Sequence, residues 1–165
     1  MDKIHLHNAS AYGGQGWSPR TTPMRDEIGT VWGRFGQLNE WAPLRSVMVH
    51  RAGSELATAK DPDAVQMLDK LDLEKARIQH ERLVETFTRA GVTVYEVDPS
   101  GPASPNQMFV ADLFFMTPEG AILARPSSTV RAGEERWVAR RLADLGIPIL
   151  KSIRGEGTFE GADAA

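Results

Sequence analysis

Two short stretches hold the residues best suited to chemistry. The first is Pro105-Asn106-Gln107-Met108-Phe109-Val110-Ala111-Asp112, and the second is Phe159-Glu160-Gly161-Ala162-Asp163. Each sets a carboxylate beside small or flexible residues at an expected strand end. A carboxylate accepts two parallel N–H bonds from a planar guanidinium, and such charge-assisted bonds are shorter and stronger than neutral ones. Two carboxylates so placed suit a pocket for a planar cation. Read singly, each has a plainer explanation: Asp112 can cap a turn, and Glu160 can be a solvated residue in a glycine-rich loop.

The missing residue types limit the chemistry as firmly. The 165 residues contain no cysteine, which excludes disulfides, thiolate metal sites and a cysteine nucleophile within them. No cluster has metal-ligand spacing, so neither a metal nor another cofactor is expected. His5/His7 and Gly13-Gly14-Gln15-Gly16 lack the flanking strand and helix that a metal or phosphate site requires, and they read as part of a flexible tail. A net charge of -3 with scattered basic residues gives no reason to expect a nucleic-acid partner. No apolar run reaches membrane-spanning length and the N-terminus lacks the apolar centre of a signal peptide, so no membrane is expected and cytoplasmic residence is the default.

The elements that must position the two stretches follow from periodicity. Residues 1–30 are rich in Gly, Pro, Ser and Thr without an apolar period, and read as a flexible arm before a single domain at 31–165. Val47-Met48-Val49-His50 reads as a buried strand. A helical zone with a break is expected from about Asp63 to Arg89, with Leu73, Ala76, His80, Leu83, Val84 and Phe87 on its inner face. His80 there is best explained as a packed, hydrogen-bonded histidine. Gly91 has the position of a left-handed cap. Strands are expected at Val92–Val97, Met108–Met116 and Ala121–Arg125, the last two joined by a turn at Pro118-Glu119-Gly120. A helix from about Gly133 to Leu145 follows, with Trp137, Val138, Leu142 and Leu145 inward. Ile147–Leu150 starts another strand and Thr158–Ala164 the next. Helices at regular intervals between strands make this an α/β chain of layered units with a period of about sixty residues. Trp17, Trp32, Trp41 and Trp137 are assigned to packing. Arg125, Arg131, Arg140 and Arg141 are assigned to helix surfaces and strand ends, with Arg125 also able to meet a substrate carboxylate.

With these elements in place, three motifs resemble the guanidino-group-modifying enzymes: amidinotransferases, arginine deiminases and dimethylarginine dimethylaminohydrolases. Asn39-Glu40-Trp41-Ala42-Pro43-Leu44, followed by the apolar run to Val49, resembles the opening strand of amidinotransferases. Asn106 six residues before Asp112 is similar to the deiminase substrate-binding segment, and Glu160-Gly161-Ala162-Asp163 to the family's Glu-Gly-Gly-Asp element. The likeness covers residues 36–165. Ala111 stands where many relatives carry Arg, so the motif does not choose among subfamilies.

The resemblance implies a pentein-type α/β propeller of ββαβ units, of which this chain supplies roughly two to two and a half of five. It implies that Asp112 binds the substrate guanidinium, that Glu160 holds its other side and assists proton transfer, that Asp163 faces the substrate's amino end or braces the loop, and that Asn106 shapes the pocket entrance. It also implies covalent chemistry, in which a cysteine thiolate attacks the guanidinium carbon and a histidine moves protons. Neither the matching histidine nor any cysteine occurs here, and His50 and His80 do not occupy the family's histidine position. The expectation is therefore a fragment, the N-terminal part of an enzyme acting on arginine or a related compound and inactive alone. Its partners would be that small molecule and the remainder of the propeller, supplied downstream in the same chain or by a partner chain, with homo-oligomerisation left open. The other reading is a thiol-free module that binds a guanidino ligand or a protein.

Overall fold

The structure is a computed structural model that describes residues 16–58 and 60–164. His5, His7 and Gly13 to Gln15 lie outside the described residues. Regular structure begins with a helical turn, α1 (Met24–Glu27), ahead of the start expected near Val31. Strand β1 (Ser46–Val49), a short turn α2 (Glu55–Thr58) and the long helix α3 (Leu73–Arg89) follow, then β2 (Thr93–Glu96). Strands β3 (Phe114–Thr117) and β4 (Gly120–Leu123), helix α4 (Glu135–Asp144) and β5 (Ile149–Ser152) complete the regular elements.

The strands form two small sheets. β1 and β2 pair in parallel, Val47 opposite Val94 and Met48 opposite Tyr95. In the second sheet the order is β3-β4-β5, with an antiparallel hairpin closed at Pro118-Glu119 and a parallel pair in which α4 makes the crossover. This is a mixed α/β fold with a βαβ piece followed by a ββαβ piece, and among the described residues the sheets do not close into a barrel.

Both long helices stop in the same way. Val92 N–H bonds Phe87 O at 3.0 Å and Ile147 N–H bonds Leu142 O at 2.9 Å, with Gly91 at φ 77° and Gly146 at φ 67° between them. These are paired six-to-one closures, in which a residue without Cβ takes the left-handed turn cheaply. At its other end α3 is capped by Asp72, whose carboxylate accepts from Lys75 N–H at 3.0 Å. The helical zone expected from Asp63 thus contains only a 3-10 turn at Asp63–Val65 before the break.

The core sits in the second piece. Leu113, Ala121, Leu123, Val138 and Leu142 are buried together with Val97, Val110 and Ile147. By contrast no residue of α3 is fully buried. Leu83, expected inward, is exposed, because a single two-stranded sheet covers only a narrow stripe of the helix. For the same reason β1 is half-buried rather than buried. Trp17 and Trp41, assigned to packing, are exposed, Trp41 to 85%.

Two expected strands are not strands. Within Met108–Met116 only the end is extended; Pro105–Met108 and Val110–Asp112 are 3-10 turns. Pro105 has no N–H for a sheet ladder, and Ser104 caps the first turn by accepting from Asn106 N–H at 3.1 Å. Val110 and Leu113 reach the core from these successive turns. At Thr158–Ala164 there is one bridge, Arg125 with Phe159, and then a 3-10 turn at Gly161–Asp163.

The two histidines among the described residues behave differently. His50 is buried, with Nδ1 2.9 Å from Val97 O and Nε2 3.3 Å from Glu55 Oε1. His80 is half-buried on α3, but its Nε2 has no hydrogen-bond partner, unlike the bonded histidine expected there. Burial pushes the His80 pKa below its ordinary 6.5, and this outweighs the opposing pull of Glu96. A lowered pKa means that the folded state binds fewer protons, so this contribution to stability is present above pH 6.5 and is lost as the pH falls through the folded value. Chemical denaturation across the acid range should therefore show a fall in stability that His80→Leu makes shallower. An unchanged slope in the variant would assign the loss to other groups.

Candidate functional site

Arg131, assigned from sequence to helix surfaces and strand ends, is the centre of a buried charge cluster. Its side chain is 9% exposed. It ends a 3-10 turn at Thr129–Arg131, and the bend through Ala132 (φ -58°, ψ 123°) and Gly133 (φ 92°), closed by Glu134 N–H to Arg131 O at 3.2 Å, brings Glu134 beside it on the approach to α4. Arg131 Nε donates to Glu134 Oε2 at 2.9 Å, Nη1 to Asp112 Oδ2 at 2.7 Å, and Nη2 to Phe109 O at 3.3 Å. Glu160 Oε2 lies 3.8 Å from Nη1, an ion pair without a direct hydrogen bond. The Phe109 ring stands 5.8 Å from the guanidinium carbon.

Each partner reaches this point by a local device. Asp112 is delivered by the second of the 3-10 turns that replace the expected strand. Glu160 is delivered by the terminal segment, which is held in three ways. The Arg125–Phe159 bridge has both N–H···O bonds at 3.0 Å, Arg125 Nη1 donates to Gly157 O at 3.0 Å, and Gly161 lies flat against the chain. A Cβ on Gly161 would stand 2.1 Å from Phe114 O and 2.6 Å from Ala111 O. Only glycine permits that approach. Gly161→Ala should therefore lift the 157–163 segment off the 111–114 turn and separate Glu160 from Arg131. Hydrogen exchange should show faster exchange of the Arg125 and Phe159 amides, which bond each other's carbonyls, in the variant; equal protection would show that the turn tolerates a side chain.

The electrostatics are lopsided, with three carboxylates facing one guanidinium. Burial works against the charge on Arg131, but its bonds to Asp112 and Glu134 outweigh that and hold its pKa above the ordinary guanidinium value. Burial pushes the Glu134 carboxyl up, against the Ser104 and Arg131 bonds that pull it down. Asp112 and Glu160 retain an open edge each, at 21% and 28% exposure, whereas Glu134 is 1% exposed. An arrangement of this kind can receive a further cation on the Asp112 and Glu160 edges, with Arg131 fixed behind them.

The other residues singled out from sequence lie elsewhere in the bonding pattern. Asn106 is buried, and its Nδ2 donates to Val65 O at 2.7 Å, tying the 62–67 segment to the 105–108 turn. Asp163 is exposed, and among the described residues its side chain makes no hydrogen bond. Arg125 spends its guanidinium on Gly157 O. Sequence reasoning missed Arg131 and Glu134 because an Arg and a Glu in a glycine-containing turn look like surface residues. The signal available was Gly133: a glycine at the third position of a four-residue turn suits a left-handed φ, and such a turn brings its end residues Arg131 and Glu134 together.

Hollows large enough for a small molecule lie away from the cluster. One of about 430 Å³ is lined by Leu56, Pro62, Met67, Lys70 and Leu71, and one of about 370 Å³ by Glu96, Asp98, Trp137 and Arg140. Among the described residues no three His, Asp or Glu side chains are grouped to hold a metal ion, and no helix is long and apolar enough to cross a membrane.

No protein-family profile matches the chain, and no curated protein sequence does. Solved structures do. A dimethylarginine dimethylaminohydrolase adduct with S-methyl-L-thiocitrulline superposes with a TM-score of 0.61 at 21% identity, over 73% of this chain and 46% of the other. The Pseudomonas aeruginosa dimethylarginine dimethylaminohydrolase complexed with citrulline gives 0.59 at 22%, over 72% and 45%. The N-terminal domain of ArgZ, a cyanobacterial arginine dihydrolase bound to its product, gives 0.58 at 21%, over 73% and 43%. The chain spans less than half the length of each of these structures. It has the fold of part of these guanidino-acting hydrolases.

Proposed function

We propose that this chain is the N-terminal part of an enzyme acting on the guanidino group of arginine or a related compound, with Asp112 and Glu160 as the residues that receive the guanidinium. One observation carries the reading: two carboxylates far apart in sequence meet at Arg131 with their open edges exposed. The fold likeness supports it, since structures of this shape are named for hydrolysis of dimethylarginine and of arginine. The same names favour amidine hydrolysis over amidino transfer.

Within this reading Asp112 binds the planar cation and keeps its carbon electrophilic, while Glu160 holds the other side and moves a proton. Asp163 meets the substrate's amino end or braces the loop. Asn106 acts at the entrance by holding the 62–67 segment in place. A thiolate adds to the guanidinium carbon, an amine departs with a proton, and water then releases the thiol and leaves a ureido product. The thiol and the histidine come from outside these 165 residues, which hold no cysteine. The two pieces of this chain and the start of a third would be successive blades of a five-unit propeller. Walls supplied by the other blades would enclose a guanidinium already held on the open carboxylate edges. The absence of cysteine also favours a second reading, a binding module without catalysis.

Calorimetric titration with L-arginine, agmatine and L-norleucine tests the reading. Saturable binding of the two guanidino compounds, without binding of norleucine and without release of citrulline or ammonia by the purified chain, is expected. Equal heats for all three ligands would remove the guanidinium site. Citrulline formation by a thiol-free chain would overturn the covalent route.

A further inference from the structure

Glu134 has no part in the reading above, yet it is the most buried charge at the site. Its side chain is held from two sides, by the Ser104 hydroxyl and by Nε and Nη2 of Arg131. Ser104 is itself fixed, since its oxygen caps the 105–108 turn, and the fully buried Gln107 donates to Glu134 O at 3.4 Å. Burying a carboxylate is unfavourable unless a cation and hydrogen bonds compensate it, and Glu134 has both.

The consequence concerns the charge left for a ligand. Arg131 carries one positive charge, and Glu134, Asp112 and Glu160 lie around it. A guanidinium already matched by a buried carboxylate can orient Asp112 through Nη1 without cancelling the charge that Asp112 and Glu160 turn to solvent. We propose that Ser104 and Glu134 are positioning residues of the guanidinium site: they anchor Arg131 and neutralise it, so that Asp112 and Glu160 keep an unbalanced negative charge for an incoming cation. This rests on the reading of Asp112 and Glu160 as the receiving carboxylates. Without Glu134, the charge of Arg131 serves Asp112 and Glu160 themselves, and an external guanidinium must compete with it for the same oxygens.

The raised pKa of Glu134 adds a second signature. Protonation of Glu134 mimics its replacement by Gln, so wild-type affinity for a cation should fall as the medium becomes acid, and the fall should be less steep in E134Q.

The test uses the intact protein labelled with 15N and reads two quantities, the Arg131 Nε–H resonance and the affinity for L-arginine. The resonance is assigned by its loss in R131K. In wild type it should exchange slowly with solvent; in E134Q the protection should vanish, and E134D should restore part of it. Affinity should drop in E134Q by roughly tenfold to a hundredfold, the range one charge-assisted hydrogen bond commands. E134D should recover part of that loss, and S104A should show a smaller loss in the same direction. A folded E134Q that binds L-arginine as wild type does, or keeps the slow Nε–H, overturns the proposal; if E134Q does not fold, S104A carries the same comparison. Should wild type bind no L-arginine, the guanidino reading fails. The Nε–H signal then decides the anchor alone: loss with restoration in E134D upholds it, and an unchanged signal sinks it.

Discussion

Arg131→Met should lower the free energy of unfolding by about 3–5 kcal/mol, the cost of removing one partner from a buried charge pair. The substitution keeps most of the side-chain volume, so the loss measures charge rather than packing. Glu134 would keep its Ser104 bond but lose the one cation that touches it among the described residues, while remaining almost wholly buried. Asp112 and Glu160 suffer less, because both can turn toward water. Glu134 can relieve its isolation by taking a proton, so the penalty should shrink as the pH falls toward the carboxylate range. Urea denaturation of Arg131→Met at neutral and at acid pH reads both effects. The double variant with Glu134→Gln should recover a good part of the loss, since the orphaned charge is gone. A single variant within about 1 kcal/mol of wild type at neutral pH, the range of exposed ion pairs, would mean that Arg131 is a solvated surface residue after all.

Asp112→Ala should weaken binding of L-arginine by about tenfold to more than a hundredfold, from the loss of a charged hydrogen bond of about 1.5–3 kcal/mol. The fold should survive it. Arg131 keeps Glu134 and the Phe109 carbonyl, and the Asp112 side chain is partly open to solvent. Glu156→Ala is the contrast: its side chain is exposed, and among the described residues it makes no hydrogen bond, so its effect should be within a few-fold. Titration of the two variants side by side separates a site from general surface charge. Equal affinities for Asp112→Ala and wild type would take Asp112 out of the binding site, whatever Arg131 does.

Much of the fold was legible before any coordinates. The helix face with Val138 and Leu142, the glycine stops at Gly91 and Gly146, the Pro118-Glu119 hairpin and the β2 strand all rest on local signals. Each depends on residues a few positions apart. Periodicity reports what one face of an element needs, and a left-handed cap needs only its own backbone. The segment at 108–113 was misread for a related reason. Apolar residues of strand type form a strand only when a partner supplies the ladder, and here Pro105 and the Ser104 cap close tight turns instead.

The candidate site divides along the same line. The sequence by itself singled out Asp112 and Glu160 and the chemistry of a carboxylate toward a guanidinium, because that chemistry belongs to the residue type and its neighbours. Tertiary structure alone decided that the two stand together, that Arg131 lies between them, and that Glu134 holds Arg131 from beneath. Those facts depend on how the 157–163 segment docks on the 111–114 turn, through a glycine whose need for close approach is invisible without the carbonyls it faces. Burial separated Arg131 from Arg125, Arg140 and Arg141. Four arginines look alike in a chain, and only the one withdrawn from water must be matched by carboxylates.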